Sequence, residues 1–330
     1  MTDDSNEKTV FSSFRMFFAY GGSFLALFLW EPLTNMLGGY NTPGGWFWGM
    51  VVIASACFVM FILCFLLTRE HLKTVSTVSV GSDFKSLLSN KPWWLLIGAA
   101  LCSNLFNTVR GATVAYFFQD IIGLDVHMSF FGLAFLFYAG LFLGIGEVSN
   151  MLGVALCVPI ANKLGKKTTF MFVNAVLLVL SVVFFFVPCT PFGFWMMLIL
   201  QIVISIFTGI MSPLIWSMYA DVSDYAELKF QTASTGLIFS SASMAQKFGG
   251  AIGGAAVLWL LSGFGYVTDA AELAAGAVQP DSALTVLRYL MSFIPAAVAA
   301  LAIVVVWFYP LTTERINSIN AELKKVREIE

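Results

Sequence analysis

Long apolar runs broken by short polar stretches dominate the chain. A helix needs about 20 apolar residues to cross a hydrocarbon core roughly 30 Å thick. Eight runs qualify, at 15–37, 46–68, 93–118, 129–161, 170–188, 194–218, 233–262 and 285–309. The pattern predicts an all-α integral membrane protein with eight transmembrane helices. Its fourth and seventh runs are long enough to tilt, bend or project from the bilayer. The longest polar stretch, 69–91, holds an amphipathic piece at 83–88 ahead of Pro92. From Thr312 onward, Ile316, Ile319, Leu323 and Val326 form one helical stripe between charges, predicting a helix along the membrane face or against the bundle. These boundaries divide the chain into two spans in 1–68, a central loop over 69–92, six spans in 93–311 and a tail helix over 312–330.

Composition removes the soluble alternatives. Hydrophobic residues make up 59% of the chain and charged residues 11%, with a mean hydropathy of +0.86. Soluble domains carry about 25% charged residues, so the first expected partner is the lipid bilayer. A net charge of −2 without a basic patch excludes a nucleic-acid partner. The five cysteines, at 57, 64, 102, 157 and 189, follow no disulfide or metal-ligand spacing. The first ten residues are polar and acidic, so no signal peptide is expected.

Charge sets the orientation. If the N-terminus is cytoplasmic, that side collects Lys8, Arg15, Arg69, Lys73, Lys85, Lys91, Lys163, Lys166, Lys167, Lys229 and the basic tail. The other side receives only Arg288. The positive-inside rule then places both termini in the cytoplasm of a multi-pass protein of the cell (inner) membrane. Two histidines, no HExxH pattern and no phosphate-binding glycine loop predict neither an enzyme nor an ATP-driven pump, and no cofactor or metal.

Four ionisable residues, Glu31, Arg110, Glu147 and Lys247, sit inside the apolar runs. Such charges usually pair or face a cavity. Arg110 and Glu147 are the pair the topology allows most readily. Around Lys247 the residues Gly236, Ser240, Ser243, Gly250 and Gly254 recur at steps of three or four, giving one small, hydroxyl-bearing face. The glycine steps 249/253 and 250/254 suit close helix packing, which explains the glycines without explaining the lysine. The third span places Ser103, Asn104, Asn107, Arg110 and Gly111 on a similar face, and asparagines both donate and accept as sugar hydroxyls require. A short acidic turn after the sixth span carries Asp221, Asp224, Tyr225, Glu227 and Lys229.

The stretch PLIWSMYADVSDYAELK, followed by STGLIF, KFGGAIGG and LSGFGY, resembles the glycoside–pentoside–hexuronide:cation symporters of the major facilitator superfamily. TDDSNEKTVFSSFRMFF, DFKSLLSNKPWW and PIANKLGKKT are similar to further segments of that family. The resemblance implies a major facilitator-type bundle in which the eight spans correspond to helices 5–12 of twelve, the first four being absent. It implies that Lys247 matches a lysine of sugar and cation binding, and that Arg15 matches an arginine near the sugar. Asp221 and Asp224 match an acidic turn closing the cytoplasmic side. Ser212 stands where the melibiose permease has a tryptophan, and Ala242–Ser243 where it has a Gln-Thr pair.

The expected function is a secondary active sugar or glycoside:cation symporter working by alternating access. Its substrate and cation pathway is expected at Lys247, Ser243, Ser240, Arg15, Asn104, Asn107, Arg110, Glu147 and Ser212, and its cytoplasmic gate at Asp221, Asp224, Tyr225, Glu227 and Lys229. The coupling cation, Na+, Li+ or H+, is implied by the resemblance, with its main ligands on helices outside this sequence. Two alternatives stand beside it: a transporter of a lipid-like or other organic solute, and a truncated remnant or subunit whose partner supplies the missing helices.

Overall fold

The computed structural model describes residues 5–39, 42–67, 80–122, 126–130, 133–137, 139–230, 235–268 and 278–329. The apolar runs become helices: α1 (Ser5–Met36), α2 (Pro43–Leu67), α4 (Lys91–Phe117), α5 (Ala139–Leu164), α6 (Lys166–Phe185), α7 (Pro191–Phe230) and α8 (Thr235–Gly263). The eighth run forms α9 (Asp281–Met291) and α10 (Phe293–Trp307). Two amphipathic helices, α3 (Val80–Leu88) and α11 (Thr313–Ile329), flank this set. Seven helical stretches among the described residues are long and apolar enough to cross a membrane. The remaining helix, α4, has 27 residues, about 40 Å at 1.5 Å per residue, but is more polar. Asn90 starts α4 by accepting the Trp93 amide at 3.3 Å, with Pro92 in the first turn where a missing N–H costs nothing.

Three expectations change. The fourth span begins at Ala139 rather than 129, and Val126–Phe130 (β1) pairs antiparallel with Leu133–Phe137 (β2) ahead of it. An aromatic-rich run has no period that separates helix from strand. The acidic turn after the sixth span is helical, because α7 continues unbroken to Phe230. The last span is broken at Ser292, whose φ of −130° and ψ of −83° are not helical.

Two apolar clusters form the core, one toward each end of α4. Leu96, Ala99, Ala100 and Phe106 of α4 belong to the first, with Phe170, Leu214, Tyr219, Tyr309, Ile316 and Leu323. Val109, Val114 and Phe117 belong to the second, with Phe142, Phe184, Leu287 and Leu290. The changeover, between Phe106 and Val109, coincides with Asn107 and Arg110. Polar groups of α5 and α7 gather at the same level, so a polar layer lies between two apolar ones.

Glycines set the closest approach. A Cβ on Gly209 of α7 would strike the backbone of Asn150, and one on Gly153 of α5 would strike the Ile206 carbonyl. The α5 and α7 backbones therefore touch. Gly249 and Gly253 of α8 likewise face α4, at Asn104 and Thr108, whereas a Cβ on Gly254 would meet nothing within 4 Å. By contrast, among the described residues α2 packs mainly on α1 and is exposed along nearly all its length.

Candidate functional site: a polar layer between α1, α4, α5 and α7

A cavity of about 190 Å³ opens in the polar layer. Its polar lining comes from four helices: Tyr20 of α1, Asn107 and Arg110 of α4, Glu147 and Asn150 of α5, and Gln201, Ser205 and Thr208 of α7. A smaller pocket of about 50 Å³ shares Asn107 and adds Ser103, Asn104, Ser212, Trp216 and Gln246. The Tyr20 hydroxyl and Ser212 Oγ are 2.5 Å apart, joining α1 to α7 where the two spaces meet.

Arg110 is 5% exposed and has no carboxylate partner among the described residues. A buried charge without partners is prohibitively costly, and its two donor groups find acceptors elsewhere. Nη1 donates to the Met291 carbonyl at 2.6 Å and Nη2 to Gln201 Oε1 at 2.8 Å, with the Phe184 ring 5.1 Å away. Met291 ends α9, where the helix dipole concentrates about half a negative charge. Pro295 lies four residues on and has no N–H, so the Met291 carbonyl lacks its usual helical donor. The break in the last span thus frees the acceptor that Arg110 uses.

Glu147 lies on the same cavity but does not pair with Arg110, contrary to the expected ion pair. Its Oε2 accepts from Asn150 Nδ2 of the same helix at 3.3 Å. Asn150 Oδ1 in turn accepts from Thr208 Oγ1 of α7 at 2.8 Å. One hydrogen-bonded chain therefore runs from Glu147 of α5 to Thr208 of α7. The Glu31 side chain lies outside the described residues.

Arg15 stands over the Trp216 ring at 4.2 Å, and Trp216 stacks on Phe239 of α8 at 6.1 Å. Lys247, Ser240 and Ser243 are not brought into either cavity. All three are exposed, and Ser240 and Ser243 donate to the backbone of their own helix. Gln246, turned about 100° from Lys247, lines the smaller pocket instead.

At the other end of α7, Asp221 is fully buried and forms an ion pair with Lys166 at 2.6 Å. Lys167 donates to the Trp307 and Tyr309 carbonyls at 2.8 and 2.7 Å, the C-terminal end of α10. Gly165 makes the turn before them with φ +80°, a conformation that favours glycine. Burial, and then the nearby Asp221 charge, hold the Tyr309 phenol well above its ordinary range, so it stays neutral. Asp224 and Glu227 are half-buried on the same helix, while Lys229 lies over the Tyr225 ring and donates to its hydroxyl at 2.9 Å.

Gln201, Ser205 and Thr208 were not among the expected residues, yet they precede Ser212 at steps of four, three and four in an otherwise apolar run. That stripe was readable. Tyr20 and Trp216 carried no such signal, because aromatic residues recur throughout the spans.

Known proteins resemble this chain in sequence over most of its length. The inner membrane symporter YicJ of Escherichia coli is 30% identical over 98% of this chain, which covers 66% of YicJ. The putative glycoside/cation symporter YagG of the same organism is 28% identical over 99% of this chain and 67% of its own length. The isoprimeverose transporter of Lactiplantibacillus pentosus is 28% identical over 83% of this chain and 56% of its own. The chain thus spans about two thirds or less of these relatives. The family described as MFS/sugar transport protein matches residues 1–313. It is a family of transporters rather than enzymes, and on that match the chain belongs to it, as a sugar-transport-type member of the major facilitator superfamily.

Proposed function

We propose that the chain carries out secondary active transport of a sugar or glycoside, coupled to Na+, Li+ or H+ and working by alternating access. The observation that carries this reading is the 190 Å³ cavity, whose donors and acceptors converge from four helices between two apolar layers. Hydroxyls, amides, a carboxyl and a guanidinium suit a polyhydroxyl solute and would be left unpaired by a lipid-like one. In this reading Asn104, Asn107, Arg110, Glu147 and Ser212 face the pathway, and Arg15 reaches it through Trp216. The Lys166–Asp221 pair, with Asp224, Tyr225, Glu227 and Lys229 beside it, forms the cytoplasmic gate. Both termini then lie in the cytoplasm, in line with the basic residues on that side.

The exposed face of α8 with Ser240, Ser243 and Lys247, and the exposed α2, support a second element of the reading. A charged, hydroxylated face inside a span is costly against lipid. We infer that further helices, from a longer form or from a partner, cover it and add the cation's remaining ligands.

Uptake of a panel of labelled glycosides into vesicles carrying the protein, under imposed Na+, Li+ or proton gradients, tests the proposal. Accumulation above protein-free vesicles is expected. Asn107→Ala should lower it about tenfold, the worth of one hydrogen bond to a buried group. Failure of every gradient to drive any glycoside would overturn the reading.

A further inference from the structure

We propose that the groove along the broken last span binds one anionic glycerophospholipid, with its phosphate on Arg288 and an acyl chain against α10. The inference is independent of which solute the chain moves.

Arg288 is unusual for its place. It is the one basic residue that the charge pattern leaves on the side opposite the termini. It is exposed, and among the described residues it forms no ion pair. Asp281 shares its face of α9 but lies seven residues earlier, about 10 Å away along the axis. The Arg288 Nη2 donates to Cys189 Sγ at 3.0 Å, and a thiol sulfur is a weak acceptor. A guanidinium carries five N–H donors, so donors remain for an anion from outside the chain.

Inward from Arg288 the chemistry changes step by step. Cys189 follows Phe185 by four residues at the end of α6, and Phe185 packs on the two aromatic residues that bracket the Ser292 break. Its ring lies 5.7 Å from that of Tyr289 and 4.7 Å from that of Phe293. Since α6 begins at Lys166 and runs for 20 residues, about 30 Å, this cluster lies far from the Lys166–Asp221 pair, at the other membrane border. Beyond it a groove of about 500 Å³ is lined by Tyr289, Phe293, Ile294, Ala297, Val298 and Leu301. Phe293, Ala297 and Leu301 recur at steps of four and are all exposed, a small residue between two large ones. From Tyr289 to Leu301 the chain advances roughly 18 Å, close to the half-thickness of a hydrocarbon core of about 30 Å.

The sequence of cation, tyrosine and apolar groove matches a phospholipid read from headgroup to tail. Arginine binds phosphate through charge-assisted hydrogen bonds, tyrosine belongs at headgroup level, and the groove accepts hydrocarbon. A second protein helix would fill the apolar part but bring no anion to Arg288. Free phosphate would leave the groove without an occupant. Charge complementarity therefore selects a lipid, and an anionic one, because a headgroup ammonium would repel the guanidinium.

Native mass spectrometry of the detergent-solubilised chain tests this, with phosphatidylglycerol and diacylglycerol of the same acyl chains as probes. One phosphatidylglycerol should bind ahead of all others and more tightly than diacylglycerol. Arg288→Gln, a surface change, should weaken phosphatidylglycerol about fivefold, the worth of one basic residue near an anionic headgroup, and leave diacylglycerol unchanged. Ala297→Phe, which fills the groove, should weaken both. A phosphatidylglycerol with a photoreactive group in mid-chain should crosslink to the α10 peptide containing Ala297, which keeps the test open if Ala297→Phe folds poorly. Equal phosphatidylglycerol binding in Arg288→Gln and the native chain would overturn the site. So would displacement by glycerol phosphate as effective as by the whole lipid, or a dimer that Ala297→Phe dissolves.

Discussion

Arg110 brings a permanent charge into a span, and the fold meets it with an opened carbonyl rather than a carboxylate. Three residues from separate segments cooperate: Met291 supplies the oxygen, Pro295 withholds the competing N–H, and Gln201 takes the second donor group. Replacing a proline near a helix start by alanine normally improves the helix. Here Pro295→Ala would hand the Met291 carbonyl a backbone donor and take it from Arg110. A charge-assisted bond of about 1.5–3 kcal/mol would be exchanged for a neutral one of about 1 kcal/mol. The variant should therefore melt a few degrees lower, and a higher melting temperature would refute the arrangement. This trio was invisible in the sequence as a unit. The charge of Arg110 was plain, but its expected partner was Glu147, because sequence reasoning pairs opposite charges and has no means of seeing a freed carbonyl. The same blindness bears on Lys247: its face was read as polar, which it is, but the smaller pocket takes Ala242 and Gln246 from α8 and the larger takes none of its residues.

Among the elements, α5 and α7 set the frame on which the polar layer is built. The closeness of their backbones depends on Gly153 and Gly209, and not on every glycine of the chain. Gly209→Ala would force a methyl into the backbone of Asn150, where nothing can rotate away. Overpacking of this kind costs about 1–3 kcal/mol, and it would also displace Asn150 from Glu147 and Thr208. Gly254→Ala, in open space on α8, should be neutral or gain up to about 1 kcal/mol of helix propensity. Thermal melts of the two variants side by side check this, and equal behaviour would show that the close approach does not hold α5 to α7. The GG-xx-GG pattern in α8 could not make such a distinction by itself. It correctly announced a packing seam, yet only Gly249 and Gly253 take it, since adjacent residues point about 100° apart. Span positions were legible for a simple reason: hydrocarbon demands about 20 apolar residues and leaves little freedom. Irregular ends were not legible. The β1–β2 hairpin and the helical acidic segment depend on tertiary surroundings that apolar content does not encode.

At the scale of the whole molecule, the exposed surface is divided unevenly in chemistry. Across α2 it is apolar nearly everywhere, as lipid or another apolar helix face would require. Over α8 it mixes Phe248, Ile252 and Leu258 with Ser240, Ser243 and Lys247. An ammonium facing lipid at a helix centre costs roughly 2.5–3.5 kcal/mol on insertion scales, more than the two serines can offset. That part of the surface should therefore meet water or further helices. Lys247→Cys distinguishes the environments directly, because a thiolate forms readily in water and hardly at all in hydrocarbon. A charged, membrane-impermeant thiol reagent should label the variant in native membranes. Where additional helices complete the bundle, labelling should slow as they close over the face and recover when the transported solute opens it. A variant that reacts only with membrane-soluble reagents, at a rate no gradient or solute alters, would place Lys247 against lipid and remove α8's outer face from the pathway. The 190 Å³ cavity on the inner side of α4 would then have to serve the solute alone.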